Sequence, residues 1–211
     1  MTTHVIMVVD KSGSMYHLTS DIIGGFNQYI DELKAQSDIE FRFTVTLFDT
    51  TYTSLCVNTP IAEVPKLTRE NYKASGNTAL IDAVGKSIRD FDVATPELAD
   101  NDKVLLVVQT DGYENSSTEY KNTDIEKMIS EREATGKWGF VFLGAGPDVW
   151  DHAHRMGFNT VSSTTQSGSA TRTRYGKMSG ATIAMASSGA PVAESSIDWM
   201  EQVVEDDPDG K

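Results

Sequence analysis

The sequence has 211 residues, of which 39% are hydrophobic and 23% charged, a balance typical of a globular protein that excludes a disordered chain. Acidic residues outnumber basic ones by 31 to 18, and the formal net charge of −13 argues against nucleic-acid binding because phosphate would be repelled. No apolar stretch approaches the roughly 20 residues of a membrane span, so we expect a cytoplasmic protein without membrane insertion.

Six short segments have the composition of β-strands. Their predicted ranges are 4–9, 41–47, 51–57, 103–108, 138–143 and 159–163. In the second of these, apolar residues alternate with arginine and threonine, which predicts a strand with one wetter face. The tight turn at Asp49-Thr50 predicts that the third strand pairs antiparallel with the second at the edge of a sheet.

Helical segments separate these strands. Apolar residues recur at helical spacing in 20–36 and 80–91, a capping-box sequence begins another helix at Thr123, and weaker signals lie at 147–156 and 169–187. Strands that alternate with helices predict an α/β fold of three layers. We therefore expect a Rossmann-like, mostly parallel central sheet with one antiparallel edge strand and helices on both faces.

The chain is predicted to form one domain over residues 1–190, followed by an acidic C-terminal extension over residues 191–211 that ends as a solvated tail. The segment 152–193 contains no Asp or Glu but several basic residues, including Arg155 and Arg174. This segment is either a less acidic face without special function or a docking face for an acidic partner.

Polar residues follow two of the predicted strands and precede one helix. Asp10 ends the first strand and is followed by Ser12 and Ser14, Asp111 follows the fourth strand, and Thr78 precedes the helix at 80–91. Ligands bind such sheets beyond the carboxyl ends of the strands. We therefore expect these five side chains to converge at one edge of the sheet.

Two carboxylates and three hydroxyls would make an all-oxygen site, which favours Mg²⁺, with Mn²⁺ or Ca²⁺ as alternatives, over Zn²⁺. Two anionic ligands only neutralise a divalent cation, so the site would keep waters and one exchangeable position. A carboxylate from another molecule would fill that position. Gly13 and Gly112 would let the backbone turn tightly, and Asn77 could adopt a left-handed conformation.

Three motifs together resemble the von Willebrand factor A (vWA) family. Asp10-Lys11-Ser12-Gly13-Ser14 resembles its Asp-x-Ser-x-Ser signature, Gly76-Asn77-Thr78-Ala79-Leu80 resembles the segment that carries its threonine, and Thr110-Asp111-Gly112 resembles its Thr-Asp-Gly. The order of the motifs also agrees, over about residues 1–165. Gln109 departs from the apolar residue common in the family, and we interpret it as the wet end of its strand.

The resemblance implies a metal-ion-dependent adhesion site (MIDAS). Ser12, Ser14 and Thr78 would bind a divalent cation directly, and Asp10 and Asp111 would bind it through waters or directly. The open position would take an Asp or Glu of a partner protein. The resemblance also implies a non-enzymatic role, in some relatives within a larger assembly such as an AAA-type ATPase complex.

Other interpretations of the same residues stay open. Asp-x-Ser-x-Ser is also compatible with an ordinary turn and helix cap, and Thr78 with the N-cap of its helix. A metal-dependent phosphohydrolase could use Asp10 as its nucleophile. A structural subunit could keep the motif without needing the metal.

Overall fold

The computed structural model of the protein describes residues 1–145, 149–164, 168–188 and 192. Its strands are β1 (Thr2–Asp10), β2 (Glu40–Phe48), β3 (Tyr52–Pro60), β4 (Lys103–Gln109), β5 (Trp138–Ala145) and β6 (Thr160–Thr164). The described strands form one sheet in the order β3-β2-β1-β4-β5-β6. Neighbours are parallel except β2 and β3, which are antiparallel, so the predicted sheet is confirmed.

Helices cover both faces of this sheet. They are α1 (Thr19–Lys34), α2 (Leu80–Ala94), α3 (Asn122–Glu133), α4 (Val149–Arg155) and α5 (Gly168–Ser187). Side chains alternate across a strand, so Val5 and Met7 of β1 pack with α1 and α5, whereas Ile6 and Val8 pack with α2, α3 and α4. The predicted three-layer, Rossmann-like fold is thereby confirmed.

One predicted surface is wrong. The threonines of β2 were expected to lie on a wetter face, but Thr44 and Thr46 are buried. The reason is that α2 covers this face, and its Ser87 hydroxyl lies 3.0 Å from the Thr46 hydroxyl, with which it forms a hydrogen bond. The alternation in β2 therefore reflects polar contacts inside the protein rather than contact with water.

Gln109 is also buried, although we expected it to mark the wet end of its strand. Its side-chain oxygen accepts a hydrogen bond from the hydroxyl of Tyr175 on α5. The Tyr175 ring lies directly against Gly25 of α1, where a Cβ would overlap it. A buried tyrosine needs a hydrogen-bond partner, and Gln109 supplies one.

The predicted helix starts need small corrections. Helix α3 begins one residue before Thr123, at Asn122, and the Asp124 carboxylate accepts the Lys121 N–H at 2.8 Å. Helix α5 is present where the sequence suggested a final helix. The proposed extension over residues 191–211 lies outside the described residues apart from residue 192. Within the described chain, no helix is both long and apolar enough to cross a membrane.

Candidate functional site

Three loops meet at the carboxyl ends of β1 and β4. The first loop (residues 11–18) follows Asp10, the last residue of β1. The second loop (residues 72–79) leads into α2 and carries Thr78. The third loop (residues 110–121) follows β4 and carries Asp111. Parallel pairing of β1 with β4 brings the first and third loops together, as the sequence predicted.

The first loop is in direct contact with the third. Ser14 lies in a turn of 3₁₀ helix over Gly13–Leu18, and Ser12 immediately precedes that turn. The Asp10 carboxylate accepts the Ser12 N–H at 2.6 Å, and the Ser12 and Ser14 hydroxyls are 3.1 Å apart. The Ser14 hydroxyl donates to Asp111 at 2.6 Å. Four of the five predicted ligands therefore form one continuous set of contacts.

Gly112 shows that Thr78 joins this set. A Cβ built on Gly112 would lie 3.0 Å from the Thr78 hydroxyl oxygen and 3.3 Å from the Ser14 hydroxyl oxygen. It would also lie 3.6 Å from one carboxylate oxygen of Asp10. Oxygen atoms from the end of β1, the first loop and the second loop thus lie around a point that Gly112 of the third loop leaves open. This cradle of hard oxygen donors fits a divalent cation.

Asp10 is the most deeply buried group of the site, with no exposed surface. Burial raises the pKa of its carboxyl to about 6, although hydrogen bonds from Thr110 and Ser12 act in the opposite direction. The Thr110 hydroxyl donates at 2.5 Å, and the Tyr72 hydroxyl fixes the Asp10 carbonyl at 2.6 Å. A nearby cation would favour the ionised carboxylate.

The positive charge of Lys11 is not directed at the Asp10 carboxylate. Its ammonium group pairs with Asp49, which follows β2, and only 12% of its side chain is exposed. Burial alone would raise the pKa of Asp49, but hydrogen bonds from Lys11 and Thr51 outweigh it and hold that pKa below its ordinary value. Lys11 therefore anchors the first loop to the β2–β3 turn.

Gly76, and not Asn77, adopts the left-handed conformation that the sequence allowed at Asn77. Its φ of +71° is left-handed, and a Cβ there would lie 2.8 Å from the Thr50 hydroxyl oxygen. Its carbonyl accepts the Gly13 N–H at 3.1 Å. Asn77 is not left-handed, and its N–H donates to Thr50 at 2.9 Å. Gly76 therefore shapes the contact between the first and second loops.

Sequence reasoning missed two residues of the third loop. These residues are Glu114 and Asn115. The Glu114 carboxylate accepts the Ile81 N–H in the first turn of α2 at 2.9 Å, and Ala79, not Thr78, is the N-cap of that helix. The Asn115 side chain accepts the Thr78 N–H at 2.9 Å. Both lie within four residues of Asp111, which is the one sequence signal that could have found them.

Exposed aromatic side chains lie at the same edge of the sheet. Among the described residues, the large exposed hydrophobic side chains include Tyr16 (77% exposed), Tyr113 (49%) and Trp150 (43%). Tyr16 belongs to the first loop and Tyr113 to the third. Trp150 lies in the first turn of α4. The Tyr113 ring lies 5.1 Å from the ring of His152 on the same helix. The candidate site therefore has an aromatic rim, consisting of Tyr16, Tyr113 and Trp150.

Alternative sites receive less support from the described residues. That part of the chain contains no group of three or more His, Cys, Asp or Glu side chains able to hold a metal ion. Arg174, in the acid-free segment 152–193, is buried and donates to the Gly144 carbonyl at 3.2 Å. This arginine therefore helps to build the interior rather than an exposed basic docking face.

No protein-family model and no curated protein matches this sequence. Solved structures do match. A von Willebrand factor type A protein from Catenulispora acidiphila has a TM-score of 0.60 at 17% identity, covering 86% of this chain and 43% of that one. Proximal thread matrix protein 1 from the mussel byssus, with a zinc-occupied MIDAS motif, has a TM-score of 0.58 at 13% identity, covering 87% and 46%.

The protein BatB from Bacteroides thetaiotaomicron has a TM-score of 0.57 at 16% identity and covers 84% of this chain and 98% of its own. The chain thus spans a little under half of the first two proteins and nearly all of the third. At these identities the similarity establishes the fold, which is the α/β fold of vWA domains.

Proposed function

We propose that this protein is a metal-dependent protein-binding domain and not an enzyme. The observation that carries the proposal is the convergence of oxygen atoms around Gly112, with Thr78 and Ser14 nearest. We propose Asp10, Ser12, Ser14, Thr78 and Asp111 as the residues that hold a divalent cation. Mg²⁺ is the first candidate because the donors are all oxygen, with Mn²⁺ or Ca²⁺ as alternatives.

The bound cation would supply a Lewis-acidic position for an Asp or Glu side chain of a partner protein. The two acidic residues of the site can neutralise a divalent cation but cannot saturate its coordination. The aromatic rim supports a protein as the partner, because Tyr and Trp are enriched at the energetic centres of protein interfaces. The partner could belong to a larger assembly such as an AAA-type ATPase complex.

The geometry favours this function over phosphoester hydrolysis. A nucleophilic Asp10 would need access to substrate, but this side chain is fully buried and both of its oxygens accept hydrogen bonds. Lys11, the candidate for phosphate binding, is paired with Asp49. Turnover of p-nitrophenyl phosphate with Mg²⁺ that disappears in Asp10→Asn would favour the hydrolase instead.

The first test combines metal titration with partner capture. Mg²⁺ and Mn²⁺ are titrated into wild type and Thr78→Ala by calorimetry, with Thr53→Ala as a control at an exposed threonine of β3. Each protein then serves as bait in a lysate with Mg²⁺ or with EDTA. We expect a protein retained by wild type and Thr53→Ala with Mg²⁺ alone. Equal retention in every sample would favour a structural subunit that needs no metal.

A further inference from the structure

Separate contacts hold each pair of loops together at the candidate site. Between the first and second loops, the main chains are bonded directly through Gly13 and Gly76. Between the first and third loops, the contact includes candidate ligands themselves, because the Ser14 hydroxyl donates to Asp111 at 2.6 Å. A cation bound by these two groups would compete for the same oxygen atoms.

The second and third loops are joined in a different way. The Asn115 side-chain oxygen accepts the Thr78 N–H at 2.9 Å, and the Asn115 N–H donates to the Thr78 carbonyl at 3.0 Å. These reciprocal bonds hold the main chain of Thr78 from both sides. They leave its hydroxyl, the group that points toward Gly112, available as a ligand.

We propose that Asn115 is a positioning residue, which fixes the Thr78 hydroxyl relative to Asp111 and so raises the affinity of the site for a divalent cation. This inference rests on the proposed function. Groups that orient metal ligands without touching the metal typically contribute about 10- to 100-fold to metal affinity. Since the Asn115 bonds use no ligand oxygen, they persist in the metal-free and the metal-bound protein.

The rest of the third loop is attached to α2 independently of Asn115. The Glu114 carboxylate accepts the Ile81 N–H, and Asp82 accepts the N–H groups of Thr118, Glu119 and Tyr120, each at 2.9 Å. Asn115 itself is exposed. Loss of its side chain should therefore leave the loop in place and the protein folded, while releasing the N–H of Thr78.

The experiment compares wild type, Asn115→Ala and Asn115→Asp. Aspartate keeps an acceptor oxygen at the same place, so it should restore what alanine removes. Asn101→Ala is the matched control, since Asn101 is exposed and precedes β4 at the opposite end of the sheet. Mn²⁺ affinity is measured by calorimetry, and amide hydrogen exchange at Thr78 is measured in EDTA, where no metal contributes.

We expect Asn115→Ala to bind Mn²⁺ about tenfold more weakly and to exchange its Thr78 amide faster, with unchanged values in Asn101→Ala. Asn115→Asp should keep the slow exchange and bind at least as tightly as wild type. Wild-type affinity in Asn115→Ala would overturn the positioning role while leaving the proposed function intact. Absence of Mn²⁺ binding in wild type would overturn both, whatever the exchange rates.

Discussion

The two ends of the sheet both bury polar side chains but satisfy them differently. At the amino ends, Arg42 donates to the Asn58 side chain at 2.9 Å, and His4 lies 3.0 Å from the same oxygen. Lys103 donates to the carbonyls of Met185 and Ser188 at the end of α5, at 2.7 and 2.6 Å. Arg42 and Lys103 at this end therefore donate to acceptors within the fold.

At the carboxyl ends, acidic oxygens meet hydroxyl groups instead. Asp10 is bonded to a backbone N–H and to the Thr110 hydroxyl, Ser14 donates to Asp111, and Lys11 is committed to Asp49. Under the proposed function, such an arrangement would gain from an added cation, whereas the pairs named at the amino ends already combine donors with acceptors. The difference would separate polar residues that serve the fold from those that we propose to serve a ligand.

The largest effect is expected for Gly112→Ala. The new Cβ would lie where the oxygens of Thr78 and Ser14 converge, so Mn²⁺ affinity should fall about 1,000-fold, or about 4 kcal/mol. Gly24→Ala in α1 is the control, because no atom lies within 4 Å of its added Cβ. Calorimetry on both variants measures the effect. Unchanged Mn²⁺ affinity in Gly112→Ala would show that the cation does not bind between these oxygens.

Replacing one Asp by Asn at each end of the sheet should change the stability of the protein in opposite directions. The pKa of Asp10 is raised from 3.8 to about 6, so metal-free stability falls as the pH rises through this window. Asp10→Asn should therefore raise stability in EDTA at pH 7, by at most about 3 kcal/mol. At the amino ends, Asp102 accepts the N–H groups of Thr2 and Ala99, and Asp102→Asn should lower stability by about 1 kcal/mol.

Urea denaturation at pH 4 and pH 7 measures both variants. The gain in stability from Asp10→Asn should be absent at pH 4, because the buried carboxyl is then protonated in the folded protein. A destabilised Asp10→Asn protein at pH 7 would mean that the carboxylate serves the fold after all.

Lys103→Met should lower stability by about 2 kcal/mol, because it leaves the carbonyls at the end of α5 without their charged donor. Its Mn²⁺ affinity should equal that of wild type, since Lys103 lies at the opposite end of β4 from Asp111. Thermal denaturation and calorimetry on the same sample separate the two quantities. A parallel loss of metal affinity would show that the two ends are coupled.

The smallest effect concerns the aromatic rim. Replacing Tyr16 or Tyr113 by alanine should weaken binding of the captured partner by about 1 to 2 kcal/mol without changing Mn²⁺ affinity. Val93→Ala is the control at another exposed apolar position, 78% exposed near the end of α2. Equal partner affinity in all three variants would place the interface elsewhere.

Local patterns in the sequence predicted the sheet, its antiparallel edge and the meeting of Asp10 with Asp111. These features follow from strand composition and from the rule that parallel strands end at one edge. The supporting contacts could not be predicted in the same way. Asn115 and Thr78 are 37 residues apart, and Gln109 and Tyr175 are 66 apart. The residues around an isolated asparagine or glutamine do not indicate which distant residue it will bond to.

Helix α5 follows every described strand in the order of synthesis. All six described strands precede it, yet Leu105, Val107 and Leu143 share a core with Tyr175 and other residues of α5. A growing chain therefore holds this face of the sheet half covered until residues 168–187 have left the ribosome. Exposed apolar surface on unfinished chains attracts chaperones and other chains. The synthesis of α5 therefore determines when this apolar face of the sheet loses most of its exposure.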